Sequence, residues 1–303
     1  MSLRGVCTIA LTPFTDDGDL DLGSIDSLTE HYLGAGVAGL TVLGIMGEAH
    51  KLSDVERYDV TARYVAAADE RVPVVVGCSA PATGLAIERA REAEGLGAEA
   101  IMVAPPNNLK NPNLVFEHYR AVAGAVSLPV VVQDEPVNTG VVMPAGFIAR
   151  VINEVENCRY VKLEEAPTTI KLSALIGRIE DPEKRAGIFG GLGGMYFYEE
   201  LARGAAGIMT GFAYQEVLVR VFELYAAGQK DEAREHFFRY LPLIRFEAQL
   251  GVGGVGIRKQ VFRMRRVIGS SHVRAPAPPL DAETLRELED LVDYLDLTEG
   301  DRA

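Results

Sequence analysis

The chain is poor in the residues that staple or metallate a protein. Its three cysteines, Cys7, Cys78 and Cys158, are an odd number without paired spacing, which fits neither a disulfide framework nor a Cys-x-x-Cys metal site. Each lies in or beside an apolar run and reads as a buried, reduced thiol. The five histidines form no His-x-His or His-x-x-x-His pair, so neither zinc nor iron is expected. No apolar stretch reaches the roughly 18 residues of a membrane span. No charged-then-apolar leader opens the chain, and a cytoplasmic protein is expected. Positive charge is scarce too: 30 Lys and Arg against 43 Asp and Glu give a net charge of −13. Nucleic acid needs a basic face and is not an expected partner. A small anionic ligand would depend on local cations or backbone N–H groups.

What the chain does have is regular alternation. Eight short, β-branched, nearly continuous apolar runs occupy 5–11, 39–43, 72–77, 100–103, 129–133, 159–163, 186–190 and 207–210. Amphipathic segments lie between them at 22–33, 54–68, 82–96, 114–126, 144–152, 169–179, 195–202 and 214–227. Runs apolar on both faces fit a parallel sheet covered on both sides. Ser53 with Glu56 three residues on reads as a capping box. The Gly/Ala-rich stretches before strands two, four and eight read as glycine C-caps. Eight β–α units over residues 1–227 predict an α/β fold, the (β/α)8 TIM barrel. An open doubly wound sheet is weakened by the absence of Gly-x-Gly-x-x-Gly after the first strand. Residues 228–303 read as a C-terminal helical extension, with helices at 231–243, 257–267 and 282–295. Its Arg245, Arg258 and Lys259 are expected on solvated faces or in subunit contacts.

In such a barrel chemistry sits at the C-terminal strand ends. Lys162 interrupts the apolar run Tyr160-Val161-Lys162-Leu163, and a lysine is costly to desolvate. Burial also favours the neutral amine that attacks a carbonyl. Strand period puts Lys162 and Glu164 on one face and Leu163 on the other. That pairing suits a Schiff-base nucleophile with an acid/base beside it. It equally suits an ion pair of Lys162 with Glu164 or Glu165. Glu48 is expected to tie loops together, and Asp134 to make a structural hydrogen bond away from the interior. Gly190-Gly191 and Gly193-Gly194 allow either close approach of an anion or only a tight turn.

Thr12-Pro13-Phe14 after strand one, Gly44-x-x-Gly47-Glu48 after strand two, Pro136 after strand five and the strand-six lysine together resemble the dihydrodipicolinate synthase / N-acetylneuraminate lyase superfamily. The resemblance spans essentially the whole chain, including Leu241-Pro242-Leu243-Ile244. It implies a class I lyase with no metal or cofactor, a homotetramer or dimer, holding a pyruvate-like 2-oxo acid as an imine on Lys162.

The departures are informative. Dihydrodipicolinate synthase carries two threonines where Ile45 and Met46 stand, tyrosines where Gln133 and Asn107 stand, and an arginine where Asn138 stands. Its hydroxyl relay is missing at every matching position, which points away from dihydrodipicolinate synthesis. The backbone N–H groups of Ile45 and Met46 remain able to bind a carboxylate. The absent strand-five tyrosine also points away from sialic-acid lyases and the usual keto-deoxy-gluconate aldolases. Val132-Gln133-Asp134-x-Pro136 with Lys162-x-Glu164 looks like the sugar-acid dehydratase branch, in which a 2-keto-3-deoxy acid such as L-2-keto-3-deoxyarabonate loses water. On that resemblance Lys162, Glu164 and Gln133 are the catalytic candidates. Ile45, Met46, Asn107, Asn138, Gly191 and Met209 are the substrate-binding ones. Met209 serves equally as barrel filler, and Glu164 equally as a plain partner of Lys162. A pyruvate-dependent aldolase and a non-catalytic keto-acid-binding barrel stay open as alternatives.

Overall fold

The computed structural model describes residues 3–107, 109–185, 187–249 and 253–297. Eight parallel strands close a barrel in chain order: β1 (Gly5–Ile9), β2 (Gly39–Val42), β3 (Val74–Gly77), β4 (Ala100–Val103), β5 (Val130–Asp134), β6 (Cys158–Leu163), β7 (Ile188–Gly190) and β8 (Gly207–Thr210). The TIM barrel read from the sequence is the fold observed. Ala186, taken as the start of the seventh run, and residues 298–303 of the tail lie outside the described residues.

Helices follow the strands: α1 (Leu22–Gly34), α2 (Asp54–Ala68), α3 (Thr83–Gly95), α4 (Pro112–Ala123), α5 (Pro136–Thr139), α6 (Ala145–Glu154), α7 (Thr168–Ile176), α8 (Pro182–Arg185), α9 (Phe197–Ala202) and α10 (Gln215–Ala226). Ser53 and Glu56 form the predicted capping box at the start of α2. The glycines before strands two, four and eight act as expected. Gly36, Gly97 and Gly204 have φ of 80°, 91° and 96°, a left-handed turn out of each helix that a Cβ would oppose.

Alternate strand residues face two cores. Outward residues such as Val42, Val76, Ile101, Val132, Val161 and Leu163 pack beneath the helices. Inward ones, among them Cys7, Val75, Met102, Val131, Tyr160 and Phe189, fill the barrel. All three cysteines are buried and free. No helix among the described residues is long and apolar enough to cross a membrane.

Beyond the barrel run α11 (Lys230–Glu247), α12 (Gly253–Met264) and α13 (Ala282–Tyr294). Their buried faces, through Phe237, Ile244, Val261 and Leu288, join the same core that covers the strands. α12 is offset toward the N-terminus from the predicted 257–267. Gly253, Gly254 and Gly256 are helical, because the tertiary packing outweighs their poor propensity. The offset matters for function, since it seats Arg258 and Lys259 inside the helix rather than at its start.

Candidate active site

Position two of each inward series sets the site. On β6 Tyr160 faces the barrel interior, Val161 faces out, and Lys162 therefore faces in at the C-terminal end. Gln133 of β5 is its register partner, so the two side chains leave neighbouring strands at one level. One residue past β6, the Glu164 N–H donates to the Asp134 carbonyl at 2.9 Å, which prolongs the ladder and turns the Glu164 side chain inward.

The three side chains meet. Lys162 Nζ lies 2.8 Å from Glu164 Oε2, and Gln133 Nε2 donates to the same oxygen at 3.0 Å. The Lys162 and Glu164 side chains are only 7% and 12% exposed, at the mouth of the barrel. Gly191 makes room for them: a Cβ there would stand 2.4 Å from Glu164 Cγ. Glu165, the other carboxylate considered for Lys162, turns instead to Lys171, which also binds Asp134 Oδ2 at 2.6 Å. Asp134 is thus held on the outer face, and burial lifts its pKa to about 6 against the pull of Lys171.

The turn after β2 offers a second polar feature. Gly47 N–H donates to the Gly44 carbonyl, Glu48 N–H to that of Ile45, and Thr12 Oγ1 to that of Gly47. The Ile45 and Met46 N–H groups meet no partner among the described residues. Left-handed backbone at Leu43 and Glu48 (φ 56° and 51°) brackets this turn, a strain that persists only where surrounding contacts impose it. Glu48 supplies those contacts. Fully buried, it pairs with Lys259 Nζ at 2.5 Å and Lys51 Nζ at 3.0 Å, and accepts from the Arg274 N–H. Lys259 and Arg274 also lie over the Phe14 ring, at 4.2 and 4.3 Å from its centre.

The remaining candidates separate into groups. Ile45, Asn107, Asn138 and Gln133 line one cavity of about 320 Å3 on the β2–β5 side of the mouth. The Asn138 amide is occupied, since Nδ2 donates to Glu135 Oε1 at 2.8 Å. Met46 lies outside that cavity and rests over the barrel interior against Arg258. Met209 is fully buried in the barrel filling.

Two residues that sequence reasoning placed on a solvated face or a subunit contact belong elsewhere. Arg258 is 4% exposed and Lys259 is wholly buried, both aimed by α12 at the barrel mouth. Arg245 is exposed, as expected. The signal for the buried pair was present in Val255-Gly256-Ile257-Arg258-Lys259-Gln260-Val261-Phe262: cations interrupting an apolar run, the same sign that singled out Lys162.

A closed β/α barrel with a near-buried lysine and carboxylate at its mouth has the fold and the groups of a class I aldolase-superfamily lyase. Comparison with known proteins is consistent throughout the chain. The model of the dihydrodipicolinate synthetase family matches residues 2–295. L-2-keto-3-deoxyarabonate dehydratase of Azospirillum brasilense is 32% identical over 297 residues, covering 97% of this chain and 94% of that protein. Among solved structures, dihydrodipicolinate synthase of Rhodopseudomonas palustris superposes with a TM-score of 0.90 at 37% identity, covering 97% of this chain and 98% of that one. A prophage protein of E. coli K12, solved in complex with pyruvate, gives 0.90 at 26% identity, with 97% and 99% covered. The chain belongs to the dihydrodipicolinate synthetase family.

Proposed function

We propose that this lyase dehydrates a 2-keto-3-deoxy sugar acid through an imine on Lys162. The observation that carries the reading is the single oxygen, Glu164 Oε2, shared between Lys162 Nζ and Gln133 Nε2. A carboxylate held against the imine nitrogen is placed to work on the carbon next to it. The Lys162 amine attacks the C2 carbonyl and water departs, leaving an iminium. The iminium acidifies C3; Glu164 takes one C3 proton, and the electron pair forms the enamine. The enamine then expels the C4 hydroxyl, which leaves as water with the proton Glu164 had taken. Hydrolysis frees the lysine and the unsaturated 2-oxo acid, and a proton moving from C5 to C3 gives the enol that collapses to the semialdehyde. Gln133 fixes the carboxylate, and the free Ile45 and Met46 N–H groups receive the C1 carboxylate.

Side chains at the relay positions support dehydration over dihydrodipicolinate chemistry, because Ile45, Met46, Gln133 and Asn107 carry no hydroxyl. The likeness to the Azospirillum dehydratase points the same way. Pyruvate-dependent aldol cleavage is the second reading, favoured by the likeness to the pyruvate-bound E. coli protein. Pyruvate or a 2-keto-3-deoxy acid, followed by borohydride and intact-mass measurement, is expected to add one reduced adduct at Lys162. Absence of any adduct overturns the imine. Product analysis then separates the two readings: a semialdehyde signals dehydration, and pyruvate signals cleavage.

A further inference from the structure

Arg258 takes no part in the chemistry above, yet α12 drives it into the mouth of the barrel. A guanidinium carries five N–H donors and no acceptor. Here they meet little. Nη1 donates to Met46 Sδ at 2.7 Å, and a thioether is a weak acceptor. Nε stands 3.7 Å from Glu247 Oε2, beyond hydrogen-bond reach, and makes no hydrogen bond. That Glu247 oxygen accepts from the Ala213 N–H instead, at 2.9 Å. No other hydrogen-bond partner for Arg258 exists among the described residues, and beyond Glu247 only the Glu164 carboxylate acts on its charge. Burying such a cation without strong acceptors is costly, unless a ligand brings them.

The surroundings show where that ligand would sit. A Cβ on Gly193 would stand 3.6 Å from Arg258 Nη2, and one on Gly191 would press on Glu164. One glycine loop therefore borders both the guanidinium and the candidate base. Met46 Sδ touches the guanidinium, and the Met46 N–H is one of the two unpartnered donors of the β2 turn. We propose that Arg258 is an anion subsite that takes a carboxylate of the substrate, on the opposite side of Lys162 from Asn138. The planar fork matches two carboxylate oxygens, whereas a hydroxyl would add nothing to the partial compensation that Glu247 gives. This inference rests on reading Lys162 as the lysine that holds a 2-oxo acid. It supplies, from the C-terminal helices, the cation that the Asn138 position lacks.

Calorimetric titration of wild type, Arg258→Lys and Arg258→Met with pyruvate, 2-oxoglutarate and glutarate tests it. Arg258→Met is expected to weaken binding at least tenfold, and Arg258→Lys, which keeps the charge without the fork, by less. Loss confined to 2-oxoglutarate and glutarate assigns the subsite to a second, distal carboxylate. Loss across all three assigns it to C1, in place of the Ile45 and Met46 N–H groups. Unchanged affinity for all three acids overturns the proposal, as does a wild-type protein that binds none. Melting curves check the fold, and Arg258→Lys carries the test if Arg258→Met does not fold. Borohydride trapping with pyruvate on the same wild-type sample keeps the two ideas apart. No adduct, with glutarate binding sensitive to Arg258, ends the imine reading and leaves the subsite.

Discussion

Gly191→Ala is a small change with a calculable consequence. A Cβ at this position would stand 2.4 Å from Glu164 Cγ, 2.9 Å from Cδ and 3.0 Å from Oε1. Carbon atoms settle at about 3.5–4.0 Å, so the Glu164 side chain must retreat by about 1 Å or more. Its contacts of 2.8 Å to Lys162 and 3.0 Å to Gln133 cannot both survive that movement. A displacement of about 1 Å in a positioned group costs on the order of 100-fold in rate. The turnover number for dehydration is therefore expected to fall about 100-fold. Lys162 itself is not touched, so trapping of pyruvate by borohydride should proceed as in wild type. Overpacking costs about 1–3 kcal/mol, a shift of a few degrees in melting temperature at most. The decisive measurement is steady-state turnover beside the trapping yield on the same preparation. Wild-type turnover in Gly191→Ala would refute the assignment of Glu164 as a base held by this loop. Loss of trapping would show instead that the damage had spread to the lysine.

Other perturbations probe separate parts of the argument. Glu164→Gln keeps the shape and removes the base; turnover should drop by roughly 10²–10⁴ while the pyruvate adduct on Lys162 still forms, and unchanged turnover would leave the base elsewhere. Lys259→Met leaves Glu48 buried with only Lys51 and the Arg274 N–H, and removal of one partner from a buried pair costs about 3–5 kcal/mol. Urea denaturation should show that loss, and a midpoint equal to wild type would count against the Glu48 cluster as a support of the β2 turn. Glu200 is buried under Gly190, and desolvation pushes its pKa from an ordinary 4.5 to about 7. Between those values the native state holds a proton that the unfolded chain has lost. Its contribution to stability is therefore complete below pH 4.5 and disappears as pH rises through 7. Glu200→Gln lacks this titration, so its stability relative to wild type should improve from pH 5 to pH 8, by roughly 3 kcal/mol at most. Equal differences in melting temperature at the two pH values would contradict the raised pKa.

Local patterns carried much of this molecule. Parallel strands covered on both faces must be apolar throughout, so eight such runs announced the barrel without any long-range information. Within one strand the period of two is obligatory, and it placed Lys162 beside Glu164 correctly. Gln133 was singled out by the family resemblance, as the residue at the strand-five tyrosine position, and the β5–β6 register sets it level with Lys162. Arg258 and Lys259 were misplaced for the opposite reason. They lie more than 200 residues from their partners Met46 and Glu48, and no local period encodes which face of a late helix closes over a barrel. Asn138 shows a different gap. Its position after β5 was readable, but its capture by Glu135 depends on the one-turn helix α5, too short to leave a periodic signal.

The acidity of the chain also takes on a different meaning once the charges are located. A net charge of −13, taken as one lump, repels a carboxylate substrate. Exposed charges, however, are screened within about 8 Å at physiological salt, whereas buried ones are screened much less. Several basic residues are spent on exposed pairs such as Arg71–Glu30 and Arg63–Asp26, where they neither attract nor hold a ligand. Lys162 and Arg258 are the reverse case, with side chains 7% and 5% exposed at the mouth. Glu164 and Glu247 face them, and burial raises the pKa of Glu247 to about 7. Near neutral pH Glu247 therefore offsets the guanidinium only in part, and an incoming carboxylate completes the compensation. Binding should weaken as pH rises past 7 and Glu247 ionises fully. An affinity for glutarate that is flat from pH 6 to 8 would mean that Glu247 and Arg258 do not act on the same ligand.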